Sequence, residues 1–280
     1  MDSEQMQTMS YEVAEAIAPT WERRREAIEE VTAPVRAWMV ERLAPRHGET
    51  VLELAAGVGD TGFEVAARLG EEGMLISTDF SPRMLEAARR RGAKLGVANV
   101  DYRVIDAQRI ELAADSVDGV LCRYGFMLMP DQPAALAETR RVLRPGGRLA
   151  LAVWGPPERN PFFTLVAAEM VARGLFPPPQ PPPAPGLFSM ADEERTTALL
   201  HDAGFADVQT EELPVAFGVN DAGAYLDFVA DTAGPLALAV RALADDERER
   251  IRARLEEALA PFATERGYEL PGLALAALAR

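Results

Sequence analysis

The residues most able to do chemistry in this 280-residue chain lie in VLELAAGVGDTG, residues 51 to 62, where an apolar run enters a glycine-rich turn. Gly57, Gly59 and Gly62 let the backbone come close to a ligand. A helix opening at that point presents free N–H groups to a carboxylate or phosphate. The pattern Gly57-x-Gly59-x-x-Gly62 has the spacing of a dinucleotide fingerprint, and Asp79 lies 20 residues beyond Gly59, where a ribose-binding acid belongs. Two further acids accompany strands, Glu53 within the first apolar run and Asp106 at the end of the third, in YRVIDAQ. The glycine motif alone points to a nucleotide-containing cofactor without choosing one.

Rival chemistries leave fewer traces. A nicotinamide-dependent oxidoreductase needs a hydride-side acid, commonly His or a Tyr with a nearby Lys. Here His47 lies in the polar turn APRHGET, His201 in the helical LLHDAGF, and the sole lysine, Lys94, far from any Tyr-x-x-x-Lys arrangement. One cysteine, Cys122, and two separated histidines offer no metal-ligating set, so no metal is expected. An NAD(P)-dependent oxidoreductase and a non-catalytic small-molecule-binding protein stay as alternatives on the same fold.

The acids can act together only if successive strand ends meet. Residues 51–54, 74–78, 100–105, 117–122 and 148–154 read as short apolar strands, with helices at 61–69, 82–91 and 133–143. Strands alternating with such helices require crossover connections, which predicts a doubly wound α/β fold with a parallel sheet and helices on both faces. The sheet's C-terminal edge would then gather Glu53, Asp79 and Asp106. Ahead of it, residues 10–44 have helical periodicity and are expected to be broken by Pro19 and Pro34 into shorter helices. After Trp154 the rhythm stops, because PPPQPPPAPG (177–186) can neither propagate a helix nor pair as a central strand. A helix at 192–203, a strand at 206–213, helical residues 220–266 and a last strand at 270–279 follow. The expected organisation is an N-terminal helical cap (1–45), a cofactor-binding core (46–155), a cap insertion with a Pro-rich loop (156–190), a continuation of the core (191–219), a helical cap insertion (220–267) and the last core strand (268–280).

From about Thr50 to Trp154, with LRPGG (143–147) ahead of the fifth strand, the chain resembles the class I S-adenosylmethionine-dependent methyltransferases, and most nearly their quinone-biosynthesis and natural-product type. The resemblance implies a seven-stranded Rossmann-like sheet, mostly parallel with an antiparallel last strand, and S-adenosyl-L-methionine as cofactor. The family usually has glycine where this chain has Ala55. Carried over by position, the Gly57 and Gly59 turn would pass under the methionine part, with Ala55 and Ala56 lending backbone contacts and Glu53 helping to hold the ammonium group. Asp79 would accept both ribose hydroxyls, Phe80 and Met84 would flank the adenine, Asp106 would accept from its amine, and the Ala107 amide would donate to the ring. Arg123 would line the methionine end. Tyr124, just beyond it at the pocket edge, is the candidate for catalysis.

The substrate would be chosen by what covers the sheet edge. Those segments carry Tyr11, Trp21, Phe162 and Phe188, which together with Tyr124 and Trp154 suit an apolar or aromatic small molecule methylated by in-line attack on the sulfonium. With 29 basic against 44 acidic residues, the net charge of −15 repels nucleic acid and anionic lipid, so neither is an expected partner. The chain shows no leader-like start and no apolar run of about 18 residues, so no membrane span is expected. The lone cysteine points to a cytoplasmic location. Homo-oligomerisation stays open.

Overall fold

A computed structural model describes residues 3–280. Its centre is the alternation read from the sequence: β1 (Thr50–Glu53), α2 (Asp60–Leu69), β2 (Met74–Asp79), α3 (Pro82–Leu95), β3 (Val100–Val104), β4 (Val117–Arg123), α4 (Gln132–Val142) and β5 (Leu143–Trp154). The later elements are α5 (Pro161–Ala172), α6 (Glu193–Asp202), β6 (Val208–Val219), α7 (Ala222–Thr232), α8 (Gly234–Arg241), α9 (Asp245–Leu259), the two-residue β7 (Ala263–Thr264) and β8 (Gly267–Ala279). The strand order is β3-β2-β1-β4-β5-β8-β6, with β7 paired to β8 off that path. Strands β1 to β5 pair in parallel, and β8 runs antiparallel to both neighbours. The chain leaves β1 towards β2 on one side and reaches β4 on the other, so the loops after β1 and β4 diverge. That divergence opens the crevice where sheets of this class bind ligands.

Burial explains why these residues make strands. Leu52, Val120, Leu149, Ala150 and Leu151 are fully enclosed, as central strands covered on both faces must be. Helix α3 starts on Ser81, whose hydroxyl accepts the Met84 N–H, and stops at Gly96 in a left-handed conformation.

Two expectations change. The N-terminal segment is one helix, α1 (Ser3–Leu43), which runs through both Pro19 and Pro34. Val13, Ile17, Val35, Met39, Val40 and Leu43 are buried along its length, and that packing outweighs the proline penalty of roughly 3 kcal/mol per site. The Glu15 carbonyl, whose helical donor Pro19 lacks, accepts instead from Arg83. The second change is in the last antiparallel pair. Strand β6 continues to Val219 and β8 begins at Gly267, so the pair extends past the reading that ended at 213. Among the described residues, no helix is long and apolar enough to cross a membrane.

Candidate active site

The turn after β1 is closed by its own backbone. The Ala56 N–H donates to Thr78 O at 2.9 Å, and the Gly59 N–H to Ala56 O at 2.9 Å. Ala55, Gly57 and Gly59 all have left-handed backbones, with φ of 51°, 56° and 89°. A side chain on Gly59 would put its Cβ 2.6 Å from the Phe63 ring, whereas one on Gly57 would meet nothing within 4 Å. Gly57 is thus held by conformation alone, with open space beside it. Ala55 accounts for its own departure from the family's glycine: its methyl fits because Gly125 opposite has none, since a Cβ there would lie 2.6 Å away.

Three carboxylates end the adjacent strands β1, β2 and β3 or follow them, and each is held differently. Asp79 accepts the Ser81 N–H on Oδ1 and the Gly57 N–H on Oδ2, both at 2.9 Å. It is 5% exposed, and burial pushes its carboxyl up to about 6 against the pull of those amides. The Phe80 amide also converges on this carboxylate, whose four lone-pair sites leave acceptor capacity for a diol hydroxyl. Asp106 accepts the Gln108 N–H at 2.9 Å and the side-chain amide of Gln7 at 2.5 Å. Glu53 is enclosed, accepting from the Gly62 N–H at 2.8 Å and the Ser77 hydroxyl at 3.1 Å, and burial pushes its carboxyl up to about 8. Its carboxylate therefore lies beneath the start of α2, already occupied, rather than facing an open loop.

At the end of β4, Arg123 donates to Thr32 and pairs with Glu29, both from α1. The next residue, Tyr124, is left-handed at φ 60°, a conformation uncommon for a bulky side chain and often found at functional sites. Its N–H is fixed on Ala152 O at 2.7 Å, and its ring stacks on Trp154 with centroids 4.1 Å apart and planes 12° from parallel. The Tyr124 hydroxyl is buried and has no partner among the described residues. Burial also pushes the phenol up, so it stays protonated and can donate but is a poor base. The one thiol, Cys122, is pushed up to about 12 by the same effect, which removes it as a nucleophile.

Tyr124, Trp154, Phe162 and Phe188 come together in one aromatic cluster with Phe163 and Phe217. Phe217 lies in the unforeseen extension of β6, so the sequence reading missed it. Tyr11 and Trp21 sit elsewhere. The Tyr11 ring meets Phe80 edge-on at 6.2 Å, and Trp21 donates to Thr232 O at 3.0 Å while packing against a small buried cluster that includes Val58 and Met84. Met84 is buried in that same seam between α1 and α3, and Ala107 is buried in the main core. Gln7, Glu15, Glu29 and Thr32 were also missed. Their partners are 66 to 99 residues away, and no local pattern announces such contacts.

The ubiE/COQ5 methyltransferase family model matches residues 31–170, half of the chain. A demethylmenaquinone methyltransferase of Deinococcus radiodurans is 39% identical over 89 residues, covering 31% of this chain and 36% of that protein. A methyltransferase of Aspergillus niger is 29% identical over 161 residues, covering 50% of this chain and 52% of its own. The chain spans about a third of the length of the first curated relatives it matches. Among solved structures, a SAM-dependent methyltransferase from Aquifex aeolicus superposes with a TM-score of 0.53 at 20% identity, over 70% of this chain and 92% of that one, which shows the shared fold. With the family model matching half of its length, the chain belongs to the ubiE/COQ5 methyltransferase family.

Proposed function

We propose that the protein transfers a methyl group from S-adenosyl-L-methionine to an apolar, aromatic small molecule of the phenol or quinol kind. One observation carries this reading: the left-handed turn at Gly57 stands against Asp79, whose buried carboxylate is oriented by backbone amides on both oxygens and keeps acceptor capacity beyond them. That is the donor-acceptor complement of a ribose. When bound, the cofactor would supply an electrophilic methyl on sulfur.

The chain's own residues do the rest. Asp79 orients the ribose, and Asp106 with the Ala107 amide reads the adenine edge beside Phe80 and Met84. The turn through Ala55, Ala56, Gly57 and Gly59 underlies the methionine part. Arg123, held by Glu29, borders that end. Glu53 has a structural role, anchoring the first turn of α2 through Gly62. On the acceptor side, the Tyr124 and Trp154 pair with Phe162, Phe163 and Phe188 provides an apolar wall for a planar ring. The unpartnered Tyr124 hydroxyl donates to an oxygen of that ring system. Rate then comes from alignment and exclusion of water by α1 and the segments 156–190 and 220–267, which act as the cap. An already acidic phenol or quinol needs no strong base, in keeping with the absence of a histidine from the site. The name of the Deinococcus radiodurans relative, a demethylmenaquinone methyltransferase, favours an acceptor of the quinone type. A cytoplasmic location accords with the lone, buried Cys122.

Calorimetry should give binding of S-adenosylmethionine and its demethylated product S-adenosylhomocysteine, and none of NAD or NADP. Labelled methyl should then pass to members of a panel of phenols, quinols and amines, with the planar oxygenated compounds preferred. Tight NAD binding without sulfonium binding would overturn the assignment.

A further inference from the structure

Helix α1 touches the nucleotide end of the crevice three times, from residues spaced four apart on a single face. Gln7 gives its side-chain amide to Asp106, the Tyr11 ring lies against Phe80, and the Glu15 carboxylate accepts from the Ser81 hydroxyl at 2.6 Å and the Arg83 N–H at 3.1 Å. These are the residues, or their immediate neighbours, to which the proposed function gives the adenine and ribose. The Gln7 contact is the informative one. A primary amide and an adenine amine are both –NH2 donors, and Gln7 bonds Oδ2 of Asp106 at 2.5 Å while the Gln108 N–H takes Oδ1 and the Gln108 side-chain amide stands farther off, 3.2 Å from Oδ1 and 3.3 Å from Oδ2.

We propose that Gln7 occupies the place of the adenine amine on Asp106 in the empty protein, so that the first turns of α1 latch the nucleotide subsite and are released when cofactor takes that acceptor. The proposal rests on the methyl-transfer reading above. Because the latched form cannot bind adenine in full, its population lowers the apparent affinity by the fraction that is closed. Tyr11, 40% exposed, stays free to swing with the helix end and to close again on the base beside Phe80.

The test compares wild type with Gln7→Ala and Gln7→Glu, both at a partly exposed position outside the core. S-adenosylhomocysteine should bind each variant about three- to tenfold more tightly than wild type, as expected for losing one competing hydrogen bond to a carboxylate. In the ligand-free variants, hydrogen exchange over residues 5–15 should be faster than in wild type, with the strands unchanged. Weaker binding by Gln7→Ala would make Gln7 a cofactor contact and overturn the latch. Equal binding would reduce Gln7 to a surface contact and overturn it as well. Absence of binding by the wild type itself would instead sink the methyl-transfer reading, a separate result.

Discussion

Asp79 has two tasks, and they draw on different lone pairs of the same carboxylate. One set takes the Gly57 and Ser81 amides and so ties together the loops after β1 and β2, while the remaining acceptor capacity is assigned to the ribose. Asp79→Ala removes both. Cofactor binding should weaken by about 1.5–3 kcal/mol, the range for losing charged hydrogen bonds to two hydroxyls. The unliganded melting temperature should also fall, because two backbone amides lose their acceptor. The two effects separate in the melting shift caused by saturating S-adenosylhomocysteine, which should shrink in Asp79→Ala beyond the fall in the empty protein. A folded variant with undiminished shift would leave Asp79 as a loop staple and nothing more.

At the scale of elements, the third glycine of the motif serves packing rather than ligand. Gly62 lies in the first turn of α2, and a Cβ there would come 2.1 Å from Oε2 of Glu53 and 2.8 Å from Leu75 Cδ2. Gly62→Ala must push α2 away from β1 or displace a buried carboxyl, so it should destabilise the fold by roughly 1–3 kcal/mol. A denaturant midpoint lowered with near-normal cofactor affinity is the expected pair of results; an unchanged midpoint would show that α2 has slack against the sheet. The sequence made this region readable, since strand, glycine turn, helix and acid follow one another within thirty residues and obey local rules. The same held for β2 through β5. What local rules could not supply was decided by distant partners. Pro19 and Pro34 argue for breaks, yet the buried stripe of α1 overrides them. Pro214 and Gly218 make the end of β6 look like a loop, yet pairing with β8 on one side continues it through both. Glu53 was recognisable as an acid on a strand, but its engagement with Gly62 and Ser77 depends on how closely α2 approaches β1 and how β2 lies alongside.

For the molecule as a whole, those buried carboxyls set a pH response that the −15 surface does not. Exposed pairs such as Arg252 with Glu249 are screened by water, contribute little to stability, and stay ionised across the neutral range. Glu53 and Asp79 behave otherwise, since burial raises their folded pKa values to about 8 and about 6. A raised carboxyl favours the folded state while protonated. Its contribution is complete below the unfolded pKa and is lost as pH climbs through the folded one. Asp79 has finished titrating by about pH 7, so from there to about pH 9 the remaining slope belongs chiefly to Glu53. Wild type should therefore lose stability across that interval, by an amount on the order of one to a few kcal/mol. Glu53→Gln keeps the shape and is never charged; its carbonyl can accept the Gly62 N–H and its amide can donate to Ser77. Denaturation of the ligand-free proteins between about pH 6.5 and about 9 should show wild type falling and Glu53→Gln flatter, with the variant the relatively more stable at the alkaline end. Parallel curves would mean that Glu53 is already ionised in the fold, with its charge met by the N-terminus of α2.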